Sequence, residues 1–213
     1  MSRKPVLDGN CFICGKTLGK TAMKNHILKS HARDGNEECC LLKIEDAYDK
    51  NFWLFVDIPL EKTLSKLDEF LRDIWLECCG HLSAFRIQGE EISKRQKLRA
   101  FHDGTALLHE YDFGSTSETS ITFVGETTRE VRKKAARLLA RNIPHEYKCA
   151  GCCAPADILC VECMWDDSES FYCAKCADAH HDGEHEEMLI PVVNSPRMGM
   201  CGDLPDLDIY RFK

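Results

Sequence analysis

The order of hydrophobic and polar residues predicts six strands and one long helix in the middle of the chain. Short apolar runs bounded by turn residues indicate the strands, and Pro59 ends the second of them. Thr63 is a favourable N-cap for a helix that runs to about Cys79, with Gly80 just beyond its end. The strands are predicted over residues 40–47, 52–58, 82–88, 105–111, 120–124 and 136–140.

Apolar residues recur along this helix at the spacing of a single helical face. The stripe consists of Leu64, Leu67, Leu71, Ile74, Trp75 and Cys78. One amphipathic helix among several strands predicts an α+β fold, in which a mixed sheet packs on one long helix.

Cysteine is unusually frequent, with 14 cysteines and 9 histidines among 213 residues. The sequence shows neither an apolar run long enough to span a membrane nor the apolar region of a signal peptide, so we expect a cytoplasmic protein. A reducing compartment does not maintain disulfides, and paired cysteines there indicate metal or redox chemistry. Four Cys-x-x-Cys pairs therefore point first to zinc. Four other cysteines do not belong to a Cys-x-x-Cys pair, and we expect them to pack as small apolar side chains: Cys39, Cys40, Cys78 and Cys79.

The N-terminal segment resembles a Cys2His2 zinc finger. Its two cysteines lie on a tight turn, and its two histidines are about one helical turn apart, so that all four side chains can reach one metal. Eleven residues separate the second cysteine from the first histidine, where about twelve are usual. The predicted ligands are Cys11, Cys14, His26 and His31.

The C-terminal segment contains three consecutive Cys-x-x-Cys pairs followed by a group of histidines. This order resembles a cross-brace zinc module of the B-box or ZZ type. In such a module the first and third pairs share one metal, and the second pair shares another with two histidines. The first set is Cys149, Cys152, Cys173 and Cys176; the second is Cys160 and Cys163 with His185 and either His180 or His181. A redox role for the pairs is the alternative.

Together with the finger, this predicts about three zinc ions, each with a complete set of protein ligands. A catalytic zinc keeps one position open for water, so these sites favour a structural role. We therefore expect three units: a finger over residues 1–36, an α+β core over 37–146, and a zinc module with a C-terminal extension over 147–213.

Four stretches of the core carry a resemblance to a known family. They are residues 52–60, 73–85, 111–115 and 138–142. Together they resemble the Ri-plasmid ORF-three-like family, also called mobile-element passenger proteins, over roughly residues 38–145. The resemblance implies a small α+β domain encoded near transposons and plasmids, and it implies no particular activity.

Charge is distributed unevenly along the chain. The formal net charge is −7, yet residues 1–33 contain seven lysines and arginines against one acid. A second basic stretch covers residues 129–141. These segments are candidates for contact with nucleic-acid phosphates, although such stretches are also common as solvated surfaces. The candidate residues are Lys20, Lys24, Lys29, Arg132, Lys133 and Lys134.

Three classes of function remain. The first two are a zinc-stabilised adaptor that contacts protein partners and an accessory protein of a mobile element that binds nucleic acid. The third is an enzyme that uses His81, His102 or His109. The sequence shows no nucleophile and base at a spacing characteristic of a catalytic site. We expect a non-enzymatic zinc-binding protein whose partner is nucleic acid, another protein or both, with no membrane and no small-molecule substrate.

Overall fold

The computed structural model describes residues 6–76, 79–166, 168–180 and 184–200. Within these ranges, ten strands form one large sheet. The strands are β1 (Gly9–Cys11), β2 (Thr17–Leu18), β3 (Arg33–Asp34), β4 (Glu37–Asp46), β5 (Trp53–Pro59), β6 (Ser83–Ile87), β7 (Glu90–Ile92), β8 (Ala106–Tyr111), β9 (Ser117–Arg129) and β10 (Arg137–Asn142). Their order in the sheet is β2-β1-β10-β5-β4-β9-β8-β6-β7, with β3 beside β9.

All six predicted strands are present, and the α+β class is confirmed. The sheet is mixed because β3 runs parallel to β9, whereas the other strand pairs are antiparallel. The strand predicted over 120–124 is much longer, since β9 runs from Ser117 to Arg129 and pairs with β4 along almost its whole length. Its polar outer positions hid this length in the sequence.

The single long helix is not confirmed. An α-helix, α2, covers Leu64–Leu71, and a π-helical turn follows over Arg72–Leu76. A π-helical turn holds more residues than an α-helical turn, so the apolar stripe does not continue at regular spacing. Three successive residues, Ile74, Trp75 and Leu76, are buried as a result. Cys78 lies outside the described residues.

Apolar clusters cover both faces of the large sheet. On one face, Leu54 and Val56 of β5 pack with Leu67 and Leu71 of α2. On the other face, Trp53 and Phe55 pack with a helix from the N-terminal segment, α1 (Lys20–Ser30). Because β5 has a helix on each side, all seven of its residues are buried.

The N-terminal segment is joined to the core through the large sheet. Strand β1 pairs antiparallel with β10, so that Cys11 lies opposite Ala140. Gly9 permits this approach, because a Cβ atom there would lie 2.3 Å from both the Arg141 carbonyl oxygen and the Trp53 ring. Helix α1 then buries Met23 and Ile27 against the sheet. The segment predicted as a separate finger therefore continues the core.

Three arginines of the basic stretch over 129–141 are buried, so the prediction of a solvated or phosphate-contacting surface is wrong at these three positions. Arg129, Arg137 and Arg141 are each at most 6% exposed. Arg129 and Arg137 share the carboxylate of Asp57, which is fully buried in β5. Arg137 also donates to Asp34, at 2.8 Å. The sequence showed the charges of these arginines and gave no sign of the distant acids that pair with them.

The C-terminal part of the chain is built from short elements. They are β11 (Tyr147–Lys148), β12 (Pro155–Ala156), β13 (Ile158–Cys160), α3 (Val161–Trp165), β14 (Phe171–Tyr172), α4 (Ala174–Ala177) and β15 (Leu189–Pro191). Strand β11 pairs with β12, while β13 pairs with β14 and β15. Short 3-10 turns cover Leu98–Ala100 in the core and Glu186–Met188 before β15. Across the described ranges, no helix is long and apolar enough to cross a membrane.

Residues 192–200 contact both the C-terminal part and the core, and the Val192 N–H donates to the carbonyl oxygen of Asp157 at 2.9 Å. Ser195 donates to the carbonyl oxygen of Trp75, at 2.5 Å. Arg197 is 1% exposed and donates to Asp112 and to the carbonyl oxygen of Ser115. Asp112, which begins the Asp-Phe-Gly sequence after β8, thus serves as an anchor for this segment.

Candidate metal centres

Three groups of four cysteine and histidine side chains converge in the described part of the chain. In each group, one ligand atom from every side chain lies within 4.8 Å of the other three. The groups are the finger centre (Cys11, Cys14, His26, His31), the four-cysteine centre (Cys149, Cys152, Cys173, Cys176) and the Cys2His2 centre (Cys160, Cys163, His180, His185). Each group matches one of the three sets predicted from spacing.

The finger centre is formed where β1 meets α1. Cys11 ends β1 and is buried, whereas Cys14 follows on an exposed turn. His26 lies within α1, and His31 is the residue that ends it. The Nε2 atom of His26 lies 3.1 Å from both the sulfur of Cys14 and Nε2 of His31. For zinc in a tetrahedral site, sulfur and nitrogen ligands are about 3.6 Å apart, so small adjustments would seat a metal.

Protonation in the finger centre favours metal binding by the histidines. Burial and the nearby Lys16 lower the pKa of His26, while burial and His26 lower the pKa of His31. Neutral imidazole is the form that coordinates a metal. Burial raises the pKa of the Cys11 thiol, and a bound cation would supply the positive charge that its thiolate needs.

The four-cysteine centre joins two turns of the C-terminal part. Cys149 and Cys152 come from the turn after β11, and Cys173 and Cys176 lie at the start of α4 and within it. The sulfur atoms of Cys152 and Cys173 are 3.7 Å apart. Two sulfurs on one tetrahedral zinc are about 3.8 Å apart, so this pair already has the spacing of a metal site.

The thiols of the four-cysteine centre interact strongly. Backbone N–H groups, first that of Cys173, lower the pKa of Cys149 to about 6. The neighbouring thiols, first that of Cys149, raise the pKa of Cys176 to about 12. A first thiolate is thus stabilised by backbone donors, and further thiolates require a cation among them.

The Cys2His2 centre lies beside the three-stranded sheet. Cys160 ends β13 and Cys163 lies in α3, and both are buried. The sulfur of Cys163 is 3.1 Å from Nε2 of His180, and that of Cys160 is 3.5 Å from Nδ1 of His185. The sequence left the choice between His180 and His181 open; the described group contains His180, and His181 lies outside the described residues.

The remaining cysteines fall outside these groups. Cys39 and Cys40 are buried in β4, where burial, followed by Asp57, raises the pKa of Cys39 to about 12. Cys79 is exposed, with its sulfur 3.7 Å from the Tyr111 hydroxyl, so the prediction that it packs as a small apolar residue is wrong. Cys153 is exposed beside the four-cysteine centre, and Cys201 lies outside the described residues.

The predicted nucleic-acid contacts divide into two groups. Lys20 is bound within the molecule, since its ammonium group donates to the carboxylate of Glu45 and to the carbonyl oxygen of Lys50. It is therefore not available to phosphates as predicted. Lys24 is half-buried and Lys29 exposed on α1. Arg132, Lys133 and Lys134 are all exposed on the loop between β9 and β10.

The three core histidines have different partners. His81 lies 3.7 Å from Asp112 and is 40% exposed, and the Nδ1 atom of the exposed His102 is near the carbonyl oxygen of Asp103. His109 is fully buried, with Nε2 2.7 Å from Asp68. Burial lowers the pKa of His109, so the neutral ring donates its Nε2 proton to Asp68.

Asp68 is the centre of a polar network that the sequence did not reveal. Its carboxylate also accepts from Ser83 at 2.6 Å and from Arg72 at 3.0 Å, and Lys94 lies 3.2 Å away. Burial acts to raise the pKa of Asp68, but the hydrogen bonds from His109 and Ser83 outweigh it and hold that pKa well below its usual range. The partners of Asp68 are up to 41 residues away in the chain, so a local sequence motif does not predict them.

Comparisons with known proteins add little to this picture. No family model matches the chain, and no curated protein matches it. Among solved structures, the chain is similar to a protein of unknown function from Methanosarcina mazei Go1, at 16% identity and a TM-score of 0.43. The similarity covers 49% of this chain and 69% of that one. The family resemblance found in the sequence therefore stays a prediction.

Proposed function

We propose that this chain is a zinc-stabilised, non-enzymatic protein that acts by binding a partner. The observation that carries the proposal is the completeness of the three centres, each of which has four cysteine or histidine ligands. Thiolate and imidazole ligands in sets of four are typical of structural zinc, while catalytic zinc has an open position. The thiolates also require a reducing compartment such as the cytoplasm.

Elemental analysis of the purified protein tests this proposal. We expect three zinc ions per chain, one for each centre. Removal with a strong chelator is expected to unfold the C-terminal part, because its short strands and helices enclose little apolar surface beyond the ligands themselves. One zinc or none per chain would contradict the proposal.

The exposed basic loop between β9 and β10 favours a nucleic acid as the partner. The finger contributes less to such binding than its sequence predicts, because helix α1 is packed on the sheet and Lys20 is paired. The loop that carries Arg132, Lys133 and Lys134 is exposed and offers phosphates a basic surface. The mobile-element context rests on the sequence resemblance alone.

Binding to a protein is the alternative, and salt dependence separates the two. Trp165 on α3 is 56% exposed in an acidic segment, a surface suited to a protein partner. If the loop contacts phosphates, affinity for an oligonucleotide falls steeply with ionic strength. No binding of DNA or RNA by zinc-loaded protein at low ionic strength would exclude the nucleic-acid role.

A further inference from the structure

We infer that the cleft between α2 and the β9–β10 loop is a binding site for phosphate groups. Residues from just before α2 through the π-helical turn form one wall, and residues 133–136 form the other. The cleft has a volume of about 270 Å³. Its charged lining residues are Lys62, Lys66, Glu69, Asp73, Lys133 and Lys134.

The charge of this cleft is opposite to that of the molecule. Four lysines face two acids there, although the chain as a whole carries −7. Lys66 is paired with Glu69, at 2.8 Å. Among the described residues, the ammonium groups of Lys62 and Lys133 have no hydrogen-bond or ion-pair partner, and they belong to opposite walls. An anion in the cleft would meet positive charge from both sides.

The loop that carries Lys133 is held in place from inside the core. The guanidinium of Arg129 donates from Nη2 to the carbonyl oxygens of Lys134 and Ala135, at 3.2 and 2.9 Å. Arg129 is in turn fixed by Asp57 and Glu37, at 3.0 and 3.1 Å. The loop backbone is thus bound to a fully buried side chain. The backbone that carries the lysines of this wall is therefore held in place before a ligand arrives, which lowers the cost of binding.

Phosphate is the anion that suits this arrangement. Lysine binds phosphate as a point charge, and two lysines from facing walls can contact different oxygens of one group. The volume is slightly below the usual range of small-molecule sites, roughly 300–1,000 Å³, which fits a phosphate group and its nearest atoms better than a whole cofactor. A nucleic-acid backbone and a free phosphate compound share this chemistry.

The inference deepens the binding role proposed above by naming its site, and its test does not involve the metals, so the two can fail separately. The test variant is the double substitution Lys62→Gln and Lys133→Gln. The matched control is Arg95→Gln with Lys148→Gln, which removes the same charge from two exposed positions outside the cleft. Binding is measured for two probes at low ionic strength: a labelled single-stranded oligonucleotide by fluorescence anisotropy, and inorganic pyrophosphate by calorimetry. Circular dichroism verifies that all proteins are folded.

We expect the cleft variant to bind its probe at least about tenfold more weakly, while the control with Arg95 and Lys148 replaced stays within about twofold of wild type. For the oligonucleotide, the slope of log affinity against log salt is expected to flatten by about 0.7, because the two lysines contact one phosphate group and each single-strand phosphate contributes about 0.7. Binding of the oligonucleotide with this pattern identifies a nucleic-acid backbone as the source of the phosphate, and binding of pyrophosphate alone identifies a small phosphate compound. The inference is overturned if wild type binds neither probe, if the cleft variant binds as well as wild type, or if the control loses as much affinity.

Discussion

Asp57 and Arg129 form an ion pair inside the large sheet, with 3.0 Å between Oδ1 and Nη1 and neither side chain exposed. Arg137 shares the same carboxylate, through Nε at 2.9 Å. Asp57 and its two arginines therefore join three strands, β5, β9 and β10. Through its Nη2 atom, Arg129 also binds the backbone of the β9–β10 loop. Buried charges are tolerated here because each has its partner and its hydrogen bonds.

Substitution of Asp57 by alanine is expected to lower the free energy of unfolding by about 3–5 kcal/mol, because two buried guanidinium groups lose their common counter-charge. Urea denaturation measures the change. The control is Lys66→Ala, which breaks the exposed pair with Glu69 and should cost no more than about 0.5 kcal/mol. A similar loss of unfolding free energy in the two variants would mean that the buried ion pair contributes no more to stability than the exposed one.

Substitution of a single ligand cysteine tests each metal centre separately, because it should lower the number of bound zinc ions by one. Cys163→Ser removes one ligand of the Cys2His2 centre, so we expect two zinc ions in place of three. Cys153→Ser is the matched control, because this exposed thiol stands next to a ligand but belongs to none of the three described groups. Mass spectrometry under native conditions counts the metals. Loss of a zinc from the Cys153 variant would show that the ligands are wrongly assigned.

Asp68 makes the stability of the core depend on acid. Its pKa is lower in the folded protein than the unfolded value of about 3.9, so its contribution is complete above about pH 4 and is lost as pH falls below that. Asp68→Asn removes this contribution. The difference in unfolding free energy between wild type and variant should be largest at pH 5 and shrink toward pH 2. Acid release of metals affects both proteins alike, and a difference that stays constant with pH would contradict the assignment.

Arg197 holds residues 192–200 on the core. In Arg197→Ala the carboxylate of Asp112 loses one of its donors and the carbonyl oxygen of Ser115 loses the guanidinium, which should cost about 2–4 kcal/mol. Hydrogen exchange should become faster in residues 192–200, while the metal content is unchanged. Arg95→Ala, at an exposed position, is the control and should alter stability by less than about 0.5 kcal/mol. Unchanged exchange in that segment would show that other contacts hold it.

The sequence predicted what local spacing can encode. The ligands of each metal group lie in short pairs whose separation reflects one turn or one helical face, and the six strands follow from runs bounded by Gly, Pro and Asp. Spacing leaves the choice between His180 and His181 open, because the two residues are adjacent; the described group contains His180, and His181 lies outside the described residues.

Contacts between distant segments were beyond the sequence. The basic stretch looked like surface, yet Arg129 is paired with a residue 72 positions away. Lys20 looked free and is bound to Glu45. The π-helical turn after Leu71 has no signature in the apolar periodicity, which predicted one continuous helix to about Cys79. In each case a charge or a periodic pattern was visible, and the partner that decides its role was not.

The pairing of β1 with β10 has a consequence for the whole molecule. If the N-terminal segment were deleted or could not hold its metal, β10 would present unpaired backbone groups beside the uncovered side chains of Trp53, Phe55 and Leu139. An open strand edge next to an apolar face is a template for pairing with another chain. A metal held at the finger centre would therefore also protect this edge, and a shortage of metal would be expected to promote self-association of the protein.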